Sequence, residues 1–162
     1  MKLNNKIGKV AMVAGMGVFM ILAGMNNALS PDGTYAPVEM TVSMGGTFGD
    51  PMVMWRAIES PIIIWLGVVG IILTELTAGV FLLLGAFKLW ATRSSASEFN
   101  DSKSIAITGL SVVACFYLIA FGVICQEWFM LWQNREVGTL QEAFRNFVTA
   151  MLIMFWINTS DD

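Results

Sequence analysis

Histidine is absent from the 162-residue chain. The commonest metal ligand and the usual general base are therefore missing. Two-histidine haem, carboxylate–histidine di-iron sites and Ser-His-Asp catalysis are all excluded. Cysteine is scarce. Cys115 and Cys125 are ten residues apart in one expected helix, which separates them by about 15 Å along its axis, too far for a disulfide. They read as small buried hydrophobes. Charge is thin as well: charged residues are 13% of the chain and the formal net charge is −3, where soluble domains are about a quarter charged. There is no Lys/Arg-rich run and no aromatic platform on a basic face, so nucleic acid is excluded as a partner. Without His, a membrane enzyme would have only Glu, Tyr, Cys and Ser to work with. No enzyme and no cofactor is expected.

What fills the chain is apolar. Hydrophobic residues make up 56% and the mean hydropathy is +0.69. The longest apolar run is Pro61 to Phe87, and Glu75, at its fifteenth position, is its only charge. As a helix it would run about 40 Å, against a hydrocarbon core of about 30 Å. Glu75 then lies near the midplane, where an ionised carboxylate costs at least ~2.5 kcal/mol, so it must face protein or water.

Three more spans are expected around this helix. Residues 8–27 have a basic approach (Lys2, Lys6, Lys9) and then an apolar run. A small residue, Ala28, follows at a distance that would suit a cleaved signal peptide; the segment is read as the first membrane helix. Gly15, Gly17 and Gly24 give it narrow surfaces where a neighbouring helix can approach. Residues 28–60 form an outer loop. Val38, Met40, Val42 and Met44 alternate with polar residues there, which fits a short strand or a surface helix. Asp50-Pro51 and Ser60-Pro61 each place a capping residue before a first-turn Pro. A short interfacial helix over Pro51–Glu59 is expected, then the long helix over 61–90. Asn100 and Asp101 suit the start of a third helix over 104–132, ending in aromatics. After a tight turn from Asn134 to Gly138, Thr139-Leu140-Gln141-Glu142 fits a capping box for a last helix over 140–157.

The expected fold is therefore an all-α membrane protein, with 1–162 as a single domain of four transmembrane helices in an antiparallel bundle. Basic residues give its orientation. Lys2, Lys6, Lys9, Lys88, Arg93 and Lys103 fall on one side, against Arg56, Arg135 and Arg145 on the other. Both termini are then cytoplasmic, in a bacterial inner membrane. Trp55, Trp128 and Trp132 suit the headgroup level.

Two polar constellations follow from counting depth. At the membrane middle, Glu75 is level with Tyr117, which could donate to it, with Ser111 and Thr74 as weaker donors. Burial without a cation would keep Glu75 protonated. It is either a structural hydrogen bond between helices or part of a proton or ion site. Near the outer surface, Arg56, Glu59, Glu127 and Arg145 fall at similar depth. They either clamp the helix order or form a docking or ligand site beneath the loop.

Trp55-Arg56-Ala57-Ile58, Glu75, Ala78, Gly85-Ala86, Glu127-Trp128-Phe129, Trp132-Gln133 and Ala143-Phe144-Arg145 form a pattern. It resembles a bacterial family of predicted small integral membrane proteins, from about Val38 onward. The resemblance implies the architecture and no mechanism. Family members often have a His in the first loop where Met40 stands here, so no metal or pH-sensing role carries over. The partners expected are membrane lipid and other membrane subunits or a second copy. The leading expectation is an accessory subunit of a larger membrane assembly, followed by a small proton-coupled or ion-conducting protein built on Glu75.

Overall fold

The computed structural model describes residues 2–134 and 137–162, with side chains from Asn4 onward. The expected turn from Asn134 to Gly138 includes Arg135 and Glu136, which lie outside the described residues. Among the described residues every regular element is helical. They are α1 (Lys2–Leu29), α2 (Pro31–Val42), α3 (Pro61–Thr92), α4 (Ala96–Asp101), α5 (Lys103–Cys115) and α6 (Leu140–Asn158). Between α5 and α6, Phe116–Trp128 continues α5 as a π-helix, and single 3-10 turns occupy Met54–Arg56 and Leu131–Gln133.

α1 buries Val13, Met16, Gly17, Met20 and Gly24, the three-and-four spacing of one helical face. That face lies along α3. A side chain on Gly17 would meet Leu82 and Leu83, and one on Gly24 would meet Leu76 and Glu75, so the two helices run in opposite directions. The same test pairs Gly85 with Ala106 and Gly109 with Leu82, so α5 runs opposite to α3. Ser111 beside Met154 and Lys103 beside Thr159 place the start of α5 at the end of α6, so the alternation continues into α6. The closest crossing is at Gly85, where a Cβ would stand 2.7 Å from the backbone of Ala106. Only a residue without a Cβ lets these backbones come so close. Of the three glycines singled out in the sequence, Gly17 and Gly24 pack inside the chain, whereas Gly15 faces open space.

Three helical stretches are long and apolar enough to cross a membrane: Asn4–Leu29, Pro61–Thr92 and Ala96–Trp128. α6 falls short of that standard, because Gln141, Glu142, Arg145 and Asn146 crowd its first two turns. The core joins Val13, Met20, Leu82, Leu110, Val113 and Ile157 from the four long helices. Large apolar side chains also stay exposed along them, among them Leu22, Leu66, Leu84, Ile119 and Leu152. In water such a surface would aggregate; in a bilayer it is the solvated face.

Several local expectations give way. The alternating run from Val38 is the end of helix α2, with Pro31 in its first turn and Pro37 inside it. Four alternating positions are too few to outweigh that start signal. Pro51–Glu59 makes only the 3-10 turn at Met54–Arg56. The third helix starts at Lys103 after a separate α4, and its second half is wound as a π-helix. The backbone bond from Phe129 N–H to Ile124 C=O, 3.0 Å, spans five residues, the π pattern. The Thr139 side chain caps nothing, because its backbone is already helical (φ −82°, ψ −9°) whereas a capping side chain needs an extended one. Cys115 is exposed rather than buried.

The Gly85 crossing makes a direct prediction. Gly85→Ala should lower the melting temperature in detergent, by overpacking worth about 1–3 kcal/mol. Gly15→Ala should leave it unchanged, since nothing lies within 4 Å of that Cβ position. Equal melting of both variants would remove the close crossing from the account.

Candidate functional site

Glu75 sits just short of halfway along α3 and is 6% exposed. Because Gly24 lets α1 lie against it, the next turn of α1 brings Asn27 over the carboxyl. Asn27 Nδ2 donates to Glu75 Oε2 at 2.7 Å, and Thr34 Oγ1, from the first turn of α2, donates to Asn27 Oδ1 at 3.0 Å. The threonine thereby fixes which end of the amide faces the acid. Glu75 Oε1 accepts no hydrogen bond among the described residues and keeps access to a cavity of about 400 Å³. That cavity lies under α2 and is walled by Thr41, Ile71, Phe121, Ile124, Cys125 and Leu131.

The donor expected for Glu75 is elsewhere. Tyr117 stacks on Phe116 and Phe121, at centroid distances of 5.1 and 5.6 Å, and its hydroxyl lies beside Asn146 of α6. Thr74 bonds back to its own helix at Gly70, and Ser111 faces Met154. Counting residues from helix ends gave a level but no azimuth, and Tyr117 points toward α6. Asn27 was missed because it ends an apolar run and reads as the start of the loop.

A second polar cluster ties the chain ends together, and no single stretch of sequence displays it. Lys9 is fully buried, and its Nζ donates to Asp161 Oδ2 at 2.6 Å and to the Thr159 carbonyl at 2.9 Å. Lys103 Nζ reaches the same two oxygens, at 2.7 Å each, and also Asn100 Oδ1 at 2.6 Å. Asn100 returns a bond to the Asp161 carbonyl at 2.8 Å, and Asn5 donates to Asp161 Oδ1 at 3.3 Å. Two cations thus share one carboxylate. The remaining positive charge meets the carbonyl end of α6, where the helix dipole is negative. Lys6 is buried beside them, with its ammonium 5.6 Å from the Phe99 ring. Burial pushes the Asp161 carboxyl up, but the hydrogen bonds and charges of Lys103 and Lys9 outweigh it and hold the group below its ordinary value of 3.8.

The other end of the molecule is aromatic. Arg56 lies over Trp128, 4.9 Å from its ring, and beside Trp55 at 5.6 Å, and donates to the Trp128 carbonyl at 3.4 Å. Trp55 and Trp128 meet edge to face, and Trp132 meets Phe48. The loop is stapled beneath them by Asn134 donating to the Gly45 carbonyl at 2.7 Å and by Phe48 N–H donating to Gln133 at 2.9 Å. The ion pairs expected here do not form: among the described residues, salt bridges join only Lys9 and Lys103 to Asp161. Glu59 is exposed, and Glu127 accepts from its neighbour Gln126. Leu140, Ala143, Phe144 and Phe147 are the α6 residues that border the hollow at Glu127. Arg145 falls outside that helical stripe and lines a groove facing α1 instead.

The shared carboxylate sets two expectations. Asp161→Asn should leave two buried ammonium groups without their counter-charge and cost about 3–5 kcal/mol. Since the folded carboxyl titrates below its ordinary value, its stabilisation is full above about pH 5 and is lost as pH falls below about 4. Thermal melts in detergent across that range should show the acid-side loss in the parent and a smaller one in Asp161→Asn. A substituted protein that melts like the parent at pH 7 would show that the cluster does not hold the helices.

No curated protein and no solved structure matches the chain. Residues 5–160 match a family described as predicted small integral membrane protein (DUF2165). The match spans nearly the whole sequence, and with it the Glu75 cavity, the aromatic end and all but the last residues of the lysine cluster. This chain, with its three long apolar helices and its mostly apolar surface, belongs to that family of small integral membrane proteins.

Proposed function

We propose that this protein is an accessory subunit of a larger membrane assembly. It crosses the bilayer four times, with both termini on the cytoplasmic side and α2 with its loop outside. The meeting of Lys9 with Asp161 supports an even number of crossings, because it holds the two chain ends at one end of the helices. α6, at 19 residues, has a length of about 28 Å, close to the hydrocarbon thickness.

The observation that carries the subunit reading is Arg145. It is exposed in a groove of about 340 Å³ between α1 and α6, whose walls include Met12, Gly15, Phe19, Thr149 and Ile153. It has no acidic partner among the described residues. A guanidinium among apolar side chains in a membrane calls for a counter-charge. Gly15 leaves the groove floor open, with nothing within 4 Å of a Cβ there. A partner helix bearing one carboxylate fits both features. The alternative is a small proton-coupled protein using Glu75, favoured by the open Oε1; but no second acid lines that cavity, so no relay continues from it.

Copurification in mild detergent tests the subunit reading. The parent should carry a stoichiometric companion that Arg145→Ala and Gly15→Leu each lose, while both variants keep the parent melting temperature. Parent and variants that all run as the same isolated species would defeat it. Orientation is tested separately, in intact cells, after Cys115 and Cys125 are replaced by Ser. A Cys at Gly45 should react with an impermeant maleimide and one at Ser97 should not; the reverse pattern would invert the topology.

A further inference from the structure

We propose that the cavity beneath α2 binds a small organic amine: the amine takes the Glu75 proton on entering, Oε1 becomes the counter-ion of the ammonium, and the apolar wall holds its hydrocarbon body. This does not depend on the accessory-subunit reading, which rests on a different groove, at Arg145.

Four observations converge on it. First, the cavity of about 400 Å³ falls in the range of small-molecule sites, about 300–1,000 Å³, and has their composition, mostly apolar with a few placed polar groups. Ile71, Phe121, Ile124 and Leu131 supply the apolar wall. Second, its one ionisable acid is preset rather than loose. Asn27 holds Oε2 at 2.7 Å, Thr34 holds Asn27, and Oε1 is left open to the space. A carboxylate fixed on one oxygen and free on the other is built to accept from a guest. Third, none of the residues lining the cavity is Lys or Arg. An anionic guest, or the phosphate of a phospholipid headgroup, would find no counter-charge, whereas an ammonium would find its only strong partner in Glu75. Fourth, Glu75 is the only acid bordering the space, its other polar side chains (Asn27, Thr34, Thr41, Thr139 and Cys125) are uncharged, and no group of three acidic or sulfur ligands for a metal lies among the described residues. A bare divalent cation, which takes about six oxygens including several carboxylates, is therefore poorly served. An ammonium carried on an apolar body needs one anionic acceptor and a greasy wall, and the cavity supplies both.

The test uses 4-phenylbutylamine and its uncharged counterpart 4-phenylbutanol, titrated calorimetrically into the purified full-length protein in mild detergent. Saturable one-to-one binding of the amine is expected, at about tenfold or more higher affinity than the alcohol, since a charge-assisted hydrogen bond is at stake. Glu75→Gln keeps the volume and the bond from Asn27 and should remove that preference, leaving both compounds bound alike. Ile71→Trp keeps the carboxylate but fills the cavity, and should abolish binding of both; it decides the matter if Glu75→Gln does not fold. Equal affinity for amine and alcohol in the parent, absence of saturable amine binding, or amine binding that survives Ile71→Trp would each overturn the proposal.

Discussion

One carboxylate closes this structure. Asp161, next to last in the sequence, accepts from Lys9 near the start and from Lys103 in the middle. The bonds join α1, the α4–α5 corner and the residues after α6 at a single oxygen. A buried ion pair often contributes little net stability, because taking charges out of water costs nearly as much as their attraction returns. What it does supply is uniqueness. Two buried ammonium groups on one carboxylate are satisfied only when α1, the start of α5 and the end of α6 meet at the same end of the bundle. The same lysines are among the basic residues that set the orientation expected from the sequence.

Away from that end the helices are held by shape. Lipid chains are as apolar as leucine, so burial of apolar surface adds little to helix association in a membrane, and close approach matters more. Gly17 and Gly24 receive α3, Gly79 receives Ile21, and Gly85 receives the backbone of Ala106. The outward faces have no such restriction and carry large exposed side chains such as Leu66, Leu118 and Phe155. Large side chains such as Met20, Leu82 and Leu110 fill the core as in a soluble bundle, and the difference is that equally large ones stay exposed on the outward faces.

The polar groups away from the lysine cluster are arranged differently from one another. Glu75 is engaged on one side by Asn27 and open on the other to a cavity. Arg145 faces a groove and has no acid beside it among the described residues. Arg56 is absorbed into aromatic rings and a carbonyl at the end of the molecule. The π-helix at Phe116–Trp128 helps to separate them. A π turn carries more residues than an α turn and leaves a helix locally wider, and here its residues line both the cavity at Glu75 and the hollow at Glu127.

By itself the sequence determined the class. Apolar runs of membrane length, sparse charge and a lone intramembrane acid are local or additive properties, and they made this an all-helical integral membrane protein before any coordinates. Helix positions followed to within a few residues at α3 and α6, where Ser60-Pro61 and the Thr139 region mark starts, and a small face at Gly17 and Gly24 was legible as packing surface. Tertiary structure alone decided the pairings. Residue counting gives depth along a helix but not the direction a side chain points, so Tyr117 looked level with Glu75 while the partner was Asn27. The same limit set Glu127 against Arg145, which face different neighbours. The lysine cluster was the least legible feature, because Lys9 and Asp161 are 152 residues apart. Nothing in either segment encodes the other, and only the alternation of helix directions brings them to the same end.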